Sequence, residues 1–342
     1  MKYHFRNLVF EGGGVRGIAY IGAMKVLEEK KILSSIIRVG GASVGAINAL
    51  LLGLNYSPEE AEKILMKMDI AKFLDFPCVL KFIYRINKEF GLCNGKKFYK
   101  WISNIIEEKT GNPNSTFKDV YMQKEDKEFR DMYFIGTNLS TGFAEVFSYK
   151  HTPKKSIADA VRISMSYPIV FTAKKNSRGD VYVDGGLLNN YPIRLFDRKK
   201  YITPAGYFEE PEYYKNFNIV LEKDKRETNH FICNKETLGF RLDSAKEIAV
   251  FRDQAEPVSY DINNLPSYVV RFVSTIFNIN NSMHLNDYDW DRSIYIDTLD
   301  VGTLDFNVNE SKKNDLIKSG ENCTENYFKW FNNPDKSPAN RP

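Results

Sequence analysis

The sequence of 342 residues predicts an α/β fold in which helices flank a central, mostly parallel β-sheet. Two observations support this prediction. Short apolar strands alternate with helical patterns from the start of the chain, and parallel strands require helix-sized connections between them. Three glycine-bearing turns also follow directly after predicted strands, where glycine lets the backbone approach a ligand closely. No internal repeat is present, so a repeat architecture is excluded.

The first part of the chain supplies the clearest elements. We expect a strand at 7–10, a helix over 15–31, a strand at 35–39 and an apolar helix over 44–54. A further helix should begin at Pro58. Ser57 is a favoured N-cap for it, and Glu59 and Glu60 suit the positive end of the helix dipole.

Later elements rest on shorter patterns. We expect strands at 132–137, 145–149 and 181–183, a helix over 156–164, and then a strand at 218–221, a helix over 267–279, a strand at 293–296 and a helix over 310–331. The chain is therefore divided into three parts. A main domain at 8–198 holds all three glycine turns, an α/β extension at 199–333 packs on it as a candidate cap or regulatory region, and a flexible tail occupies 334–342.

Composition excludes several classes of protein. Lys and Arg number 48 against 44 Asp and Glu, and the net charge of +4 argues against general nucleic-acid binding. The longest apolar stretch, 40–54, is too short to span a membrane, and residues 1–10 lack the features of a secretory signal. We expect a cytoplasmic protein, or one exported without a cleavable signal. The four cysteines are too widely spaced for a zinc or redox motif, so we expect reduced, mostly buried thiols and no metal or other cofactor.

The first glycine turn spans residues 12–17 and reads GGGVRG between a strand and a helix. A helix start offers unpaired N–H groups and a positive dipole end, which suit an anion. The same letters fit the dinucleotide fingerprint G-x-G-x-x-G. A dinucleotide site also needs an acidic residue at the end of the second strand, and here that strand runs into glycine, alanine and serine, so dinucleotide binding is disfavoured.

The second turn spans residues 41–45 and reads GASVG between a strand and an apolar helix. This is the context of a nucleophile elbow, in which small flanking residues allow Ser43 to be presented on a sharp turn. The alternative is that Ser43 is only the N-cap of the helix, since serine is a favoured cap.

A serine nucleophile needs a base. Only His230 and His284 lie far downstream of Ser43, both in polar contexts typical of the surface. The third glycine turn, Asp184-Gly185-Gly186 at a strand end, offers a carboxylate instead. Aspartate is a poor base in water, with a pKa of about 3.9, but a dry cleft raises its basicity. The alternative is an ordinary Asp-Gly turn.

The three turns in this order resemble those of the patatin-like phospholipases, serine lipid acyl hydrolases with a Ser–Asp dyad, and the resemblance covers about residues 8–198. Asn189-Asn190-Tyr191-Pro192 also looks like the family's N-x-P continuation. The resemblance implies a three-layer patatin-like fold of the bacterial type, with Ser43 as nucleophile and Asp184 as base. It also implies oxyanion or substrate-binding roles for Gly12, Gly13, Gly14, Arg16 and Val44. In this set the N–H groups of Gly13 and Gly14, and as a further candidate that of Val44, would donate to the oxyanion, and Arg16 would hold the glycine loop. The motif glycines are Gly17, Gly41, Gly45, Gly185 and Gly186.

The resemblance implies hydrolysis of phospholipid or lysophospholipid esters, of the phospholipase A or lysophospholipase type. An acyltransferase would use the same acyl-enzyme if water were excluded from the site. A non-catalytic binding or storage protein on the same fold is a third alternative, because fold does not fix function. Nothing in the sequence indicates an oligomeric state.

Residues 72–100 differ from the rest of the chain. They hold seven Lys or Arg against two acidic residues, interleaved with seven aromatic residues. Such a segment suits a lid or a peripheral contact with a membrane, because cations attract anionic headgroups and aromatic rings enter the acyl boundary. The alternative is a pair of core helices with a solvated, charged side.

Overall fold

The computed structural model describes residues 3–75, 78–204, 206–223, 229–252, 255–257, 259–282, 287–305, 307–336 and 340. An eight-stranded sheet forms the centre of the protein, and it confirms the predicted α/β class. The strands, including those of two small two-stranded sheets, are β1 (Asn7–Phe10), β2 (Arg38–Gly41), β3 (Gly91–Cys93), β4 (Asp131–Asn138), β5 (Phe143–Phe147), β6 (Ile169–Phe171), β7 (Lys174–Lys175), β8 (Val181–Asp184), β9 (Phe208–Glu209), β10 (Cys233–Asn234), β11 (Thr237–Asp243) and β12 (Ser293–Asp297).

The central sheet has the strand order β12-β11-β1-β2-β4-β8-β7, and β5 pairs with β4 off this path. The five strands from β12 to β4 are mutually parallel, whereas β5, β7 and β8 join by antiparallel pairing. Parallel neighbours bring the carboxyl ends of β1 and β2 to one edge of the sheet, and antiparallel β8 ends beside the middle of β4. This arrangement brings the ends of β1, β2 and β8 into one region.

The helices are α1 (Tyr20–Glu29), α2 (Val44–Gly53), α3 (Pro58–Met66), α4 (Ile70–Phe73), α5 (Val79–Tyr84), α6 (Lys96–Thr110), α7 (Phe117–Met122), α8 (Lys124–Lys127), α9 (Ile157–Ser164), α10 (Gly186–Asn189), α11 (Glu212–Lys223), α12 (Ala245–Arg252), α13 (Leu265–Ser282), α14 (Asp287–Trp290) and α15 (Glu310–Phe331). Within the described ranges, no helix is long and apolar enough to cross a membrane.

The main core lies between one face of the sheet and the helices α1, α2, α9 and α15. Leu8, Phe10 and Phe240 from neighbouring strands are fully buried there, and the helix α2 is buried along its whole length. The opposite face is covered by residues 191–201, from which Phe196 and Tyr201 pack on β1 and β4. The sheet is therefore buried on both faces, as expected for parallel strands.

Most of the predicted elements are present, with shifted ends. The predicted helix over 15–31 begins as a 3₁₀ turn, Gly14–Ala19, before α1. The strand predicted at 35–39 forms at Arg38–Gly41, after a short 3₁₀ turn. The cap at Ser57 is confirmed, because its hydroxyl accepts from the Glu60 N–H while the Glu60 carboxylate accepts from the Ser57 N–H.

Two predictions in the second half are wrong. The segment 218–221 was predicted to be a strand from its apolar, β-branched residues, but it lies within α11. There the Asn218 side chain is buried and pairs with the backbone of Phe231 at 2.7 and 2.8 Å, so a tertiary contact outweighs the local preference. His230 was predicted to lie on the surface but is buried. His284, and most of the tail at 334–342, lie outside the described residues.

The cysteines are unpaired, and two of them, Cys93 and Cys233, are buried, whereas Cys78 is exposed.

The extension after residue 198 shares the central sheet. Its strand β11 lies directly beside β1, and β12 forms the edge. The predicted strand at 293–296 is thus present, but β11 was missed, because Arg241 and Asp243 interrupt its apolar pattern. These two charges are buried and form an ion pair at 2.8 Å. The domain boundary near residue 198 remains a prediction.

A buried ion network joins the two parts of the chain. The Arg292 guanidinium contacts both carboxylate oxygens of Asp197, at 2.6 and 2.7 Å, and Asp289 at 2.7 Å. All three side chains are at most 4% exposed. Removing Arg292 leaves the Asp197 carboxylate buried with no other ion pair among the described residues, whereas Asp289 keeps its pair with Arg194 at 2.8 Å.

We expect Arg292→Met to lower the free energy of unfolding by about 3–5 kcal/mol, the range for breaking a buried ion pair. The matched control is Lys246→Met, which removes a surface ion pair with Asp300 and should cost about 1 kcal/mol or less. Urea unfolding at pH 7 measures both changes. Equal losses in the two variants would contradict the account of the network.

Candidate active site

Ser43 occupies a sharp turn between β2 and α2, the serine elbow (residues 41–45). Its backbone angles are φ +53° and ψ −129°, a region that non-glycine residues rarely adopt. The turn also needs its flanking glycines: a β-carbon on Gly41 would stand 2.5 Å from the Gly45 backbone, and one on Gly45 would stand 2.3 Å from the Phe10 carbonyl oxygen. The chain therefore holds Ser43 in a strained position, as a nucleophile elbow does.

Asp184 ends β8 and begins the aspartate loop (residues 184–186). Its N–H donates to the Ser166 carbonyl at 2.9 Å, and its Oδ1 accepts from the Gly186 N–H at 2.8 Å. Burial raises the pKa of Asp184 to about 7, and the Gly186 N–H and then the Ser43 side chain act against this rise. The structure therefore brings the predicted nucleophile and the predicted base together.

The contact between Ser43 and Asp184 is looser than an ordinary hydrogen bond. The Ser43 hydroxyl lies 3.7 Å from the Met165 sulfur, and the buried Asp184 Oδ2 has no regular hydrogen bond to any described residue. Hydrogen bonds between catalytic groups are often long before substrate binds and tighten afterwards. The carboxyl oxygen is thus available to the serine hydroxyl.

The glycine loop (residues 12–17) follows β1 and passes beside the elbow. A β-carbon on Gly12 would stand 2.9 Å from Ser43 Cβ. Arg16 donates from Nε to the Gly13 carbonyl at 3.2 Å, across the turn in which Gly14 has a φ of +59°. These contacts place the loop against the serine.

Three N–H groups of the glycine loop and the serine elbow are candidate donors to an oxyanion. The N–H groups of Gly13, Gly14 and Val44 donate to no acceptor among the described residues. The Gly12 N–H, by contrast, donates to the Asn190 carbonyl at 3.1 Å. The family resemblance groups Gly12 with the substrate-binding residues. In the structure Gly12 lies close to Ser43 and Asn190, and its N–H is already hydrogen-bonded within the protein.

Asn190 lies between the glycine loop and the aspartate loop. Its Nδ2 donates to the Gly12 carbonyl at 3.1 Å and to Glu11 Oε1 at 3.2 Å. Its Oδ1 stands 2.3 Å from the position of a β-carbon on Gly12 and 2.4 Å from that on Gly186. Asn190 therefore fixes the spacing of the two loops, a contact that the Asn-Asn-Tyr-Pro sequence alone did not reveal.

Glu11 connects the glycine loop to the C-terminal extension. It is fully buried, and its Oε2 accepts from the Leu242 N–H of β11 at 2.7 Å. Burial raises the pKa of Glu11 to about 8, and the Arg241 guanidinium acts in the opposite direction. Sequence reasoning missed this residue, although it directly precedes the three glycines.

The end of α9 contacts both loops of the candidate dyad. The Ser43 N–H donates to Ser164 Oγ at 3.0 Å, Met165 lies against the Ser43 hydroxyl, and Ser166 receives the Asp184 N–H. No sequence signal singled out this Ser-Met-Ser segment. These three residues reach Ser43 and Asp184 because α9 packs on β4 and β8.

No described histidine hydrogen-bonds to Ser43. His4 stacks on Tyr207 with ring centroids 3.5 Å apart, His151 pairs with the Ser148 hydroxyl at 2.7 Å, and the His230 carbonyl accepts from the Lys199 N–H. Asp184 is thus the candidate base that the structure places beside the serine.

The segment 72–100 divides into core and surface. Phe73 and Phe98 are buried, whereas Phe82, Ile83 and Tyr84 of α5 are exposed. Arg85 is occupied within the protein, because it pairs with Asp75 at 3.2 Å and donates to the Leu92 carbonyl at 2.7 Å. A membrane contact through this segment remains a prediction.

A test of membrane contact through this segment should reverse the charges of Lys81 and Lys88, both exposed, and leave Arg85 in place.

The fold and the site together define an α/β protein with a serine elbow beside a buried aspartate. The chain belongs to the patatin-like phospholipase family, whose family model matches residues 8–197. This match confirms the resemblance drawn from the three glycine turns.

Relatives are found in viruses and bacteria. The chain is 29% identical over 317 residues to the uncharacterized protein R571 of Acanthamoeba polyphaga mimivirus, covering 92% of this chain and 91% of that protein. It is 29% identical over 192 residues to the probable lipid hydrolase 463L of Invertebrate iridescent virus 6, covering 56% and 63% respectively. The crystal structure of VipD from Legionella pneumophila shares the fold, with a TM-score of 0.57, 18% identity, and coverage of 95% of this chain and 67% of that chain. That the chain is of the bacterial type of this family remains a prediction.

We expect Asp184→Asn to stabilise the protein increasingly as pH rises from about 4 to about 7. In this interval the unfolded chain releases the Asp184 proton, whereas the folded protein retains it, because the folded pKa is about 7. The wild type therefore loses about 1.4 kcal/mol per unit of pKa difference, and the variant does not.

Urea unfolding of both proteins between pH 4 and pH 8 measures this difference, with the surface variant Asp300→Asn as a control for the loss of one carboxyl group. A constant difference across the pH range would show that Asp184 is not held protonated by burial.

Proposed function

We propose that this protein is a lipid acyl hydrolase that cleaves ester bonds of phospholipids or lysophospholipids with Ser43 as nucleophile and Asp184 as base. The observation that carries the proposal is the buried Asp184 carboxyl beside a strained Ser43, with the glycine loop packed against the serine through Gly12. Membership of the patatin-like phospholipase family supports it, as does the relative named a probable lipid hydrolase.

In the first step, Ser43 Oγ attacks the ester carbonyl carbon while Asp184 accepts the hydroxyl proton. The carbonyl oxygen becomes an oxyanion and receives hydrogen bonds from the Gly13, Gly14 and Val44 N–H groups. The tetrahedral intermediate collapses, the C–O bond to the alcohol breaks, and Asp184 returns its proton to the leaving alkoxide. A water molecule then attacks the acyl carbon and gives its proton to Asp184. The bond between that carbon and Ser43 Oγ breaks, Asp184 returns the proton to Oγ, and the fatty acid is released.

Burial explains how an aspartate performs this work. A carboxylate with a pKa near 3.9 is a weak base at neutral pH, and a general base is most effective when its pKa lies near the working pH. The raised pKa of Asp184 meets this condition without a histidine. Each oxyanion donor is worth about 2.7–4 kcal/mol in comparable sites, so the three N–H groups supply a large share of the rate enhancement.

The strain at Ser43 favours an enzyme over a storage protein. A residue held at such angles costs about 1–3 kcal/mol, and folds retain this cost where the geometry is needed for function. A protein that only stores or binds lipid gains nothing from presenting a serine hydroxyl in this way.

We expect Ser43→Ala and Asp184→Asn each to abolish ester hydrolysis while the protein stays folded, because each removes one partner of the proton transfer. Replacing each histidine in turn should leave most of the activity, since the proposed base is a carboxyl group. The measurement is fatty acid release from phosphatidylcholine and lysophosphatidylcholine. A folded histidine variant without activity would refute the dyad.

We also expect kcat/KM to rise with pH through about 7, because Asp184 must lose its proton before it accepts one from Ser43. An uncharged soluble ester, assayed from pH 5 to pH 9, provides the profile. A rate that is constant from pH 5 to pH 8 would exclude Asp184 as the base.

A further inference from the structure

Two of the three consecutive glycines in the glycine loop rest against the C-terminal extension. A β-carbon on Gly13 would stand 2.6 Å from Leu242 Cδ1 of β11. A β-carbon on Gly14 would overlap the Thr303 carbonyl oxygen and would stand 3.1 Å from Thr303 Cγ2. The extension thus leaves no room for a side chain at either position, and the N–H groups of these two glycines are candidate donors to the oxyanion.

Thr303 belongs to a turn between β12 and α15, which we call the strained turn (residues 298–303). Leu299 and Asp300 in this turn have φ angles of +51° and +59°. Residues other than glycine seldom adopt these left-handed angles, and seldom two in succession. The Asp300 side chain is exposed, so its burial does not account for the backbone conformation. Such strain persists only where the surrounding structure fixes it.

The strained turn is fixed to the protein on both sides of its left-handed residues. Thr298 is fully buried, and its N–H donates to the Asp243 carbonyl of β11 at 3.1 Å. Val301 is buried in the main core. Leu299 and Asp300 connect these two anchors, so the path of the turn is set by β11 and by the core.

A second set of contacts fixes the Thr303 peptide itself. The Gly302 N–H donates to Asp305 Oδ2 at 2.7 Å, and the Asp305 N–H donates to the Gly302 carbonyl at 3.2 Å. These reciprocal hydrogen bonds close a short turn around Thr303. The Thr303 carbonyl is therefore held against Gly14, where it limits the conformations open to that glycine.

We propose that the strained turn sets the direction of the Gly14 N–H toward the oxyanion, and that Thr303, through its carbonyl, is a positioning residue of the reaction. This inference rests on the proposed function, because the direction of that N–H matters only if Ser43 forms a tetrahedral intermediate. A backbone N–H points where φ and ψ place it, and glycine has many conformations to choose from. The Thr303 carbonyl removes part of this freedom. The C-terminal extension thereby contributes to catalysis without contacting the reacting atoms.

The first experiment compares Asp300→Pro with Asp300→Gly. Proline fixes its own φ at about −65° and drives the residue before it into an extended conformation, so the proline variant cannot form the strained turn. Glycine adopts a positive φ freely and keeps the turn. Both variants lose the same carboxylate and its exposed ion pair with Lys246 at 3.2 Å, so they differ only in the backbone that they permit.

A second pair of variants tests the same contact from the other side of Thr303. The Asp305 side chain is exposed. Asp305→Ala removes the acceptor of the Gly302 N–H, whereas Asp305→Asn keeps an oxygen that can accept it. Urea unfolding checks that all four variants are folded. If the proline variant does not fold, the Asp305 pair decides the inference.

Hydrolysis of an uncharged soluble ester supplies kcat, KM and the pH profile. We expect Asp300→Pro to lower kcat about tenfold or more, and Asp305→Ala to lower it by a smaller factor, because the lost contact directs a donor that acts in the transition state. KM should stay close to that of the wild type. The midpoint of the pH profile should stay at about 7, since neither change touches Asp184. Asp300→Gly and Asp305→Asn should behave like the wild type.

Inhibition by a short-chain trifluoromethyl ketone measures binding of the oxyanion itself. Ser43 Oγ adds to the ketone carbon, the hydroxyl proton passes to Asp184, and the ketone oxygen becomes an oxyanion like that of the reaction intermediate. The inhibition constant should rise in Asp300→Pro and Asp305→Ala by the same factor by which kcat/KM falls. A change that only loosened the fold would not link these two quantities.

Three results would overturn the inference: wild-type kcat in folded Asp300→Pro and Asp305→Ala proteins, a loss confined to KM, or equal losses within each matched pair. A wild type that hydrolyses no ester would instead refute the proposed function, and this inference with it. That result appears in the wild type before any variant is compared, so the two failures are distinguishable.

Discussion

Asn190 sets the distance between the two loops on which the site depends. Its side chain fills the space left by the missing β-carbons of Gly12 and Gly186, and its amide binds the carbonyl of the glycine loop. Any displacement of this one side chain would shift the N–H groups of the glycine loop relative to Asp184. Glu11 extends the constraint to β11, so the C-terminal extension takes part in holding the glycine loop.

Burial raises the pKa of Asp184, the proposed base. A carboxyl group removed from water resists ionisation, and the Gly186 N–H and the Ser43 side chain offset only part of that effect. The strained backbone at Ser43 and the buried Asp184 carboxyl both destabilise the folded protein. The well-packed cores on the two faces of the sheet offset these costs. Local strain at a functional site is normally offset by the surrounding structure in this way.

The parts of the site that could be predicted are those encoded by local sequence. Ser43, Asp184 and the glycine loop each follow a strand within a few residues, so short patterns reveal them. Glu11 and Leu242 could not be paired in this way, because they are far apart in the chain and meet only through the β1–β11 ladder. The strand β11 could not be predicted because the residues of a buried ion pair interrupt its apolar pattern. The segment 218–221 of α11 has the apolar residues of a strand, and the contact of Asn218 with Phe231 cannot be deduced from local sequence.

The central claim is that Ser43, Asp184 and the glycine-loop N–H groups act on one reacting centre. A crystal structure of the protein treated with a long-chain fluorophosphonate tests it most directly. The account requires a phosphorus atom bonded to Ser43 Oγ, with its phosphoryl oxygen about 2.7–3.1 Å from N–H groups of Gly13, Gly14 or Val44 and the Asp184 carboxyl facing Oγ. An adduct on another side chain, or a phosphoryl oxygen turned away from these N–H groups, would contradict the account.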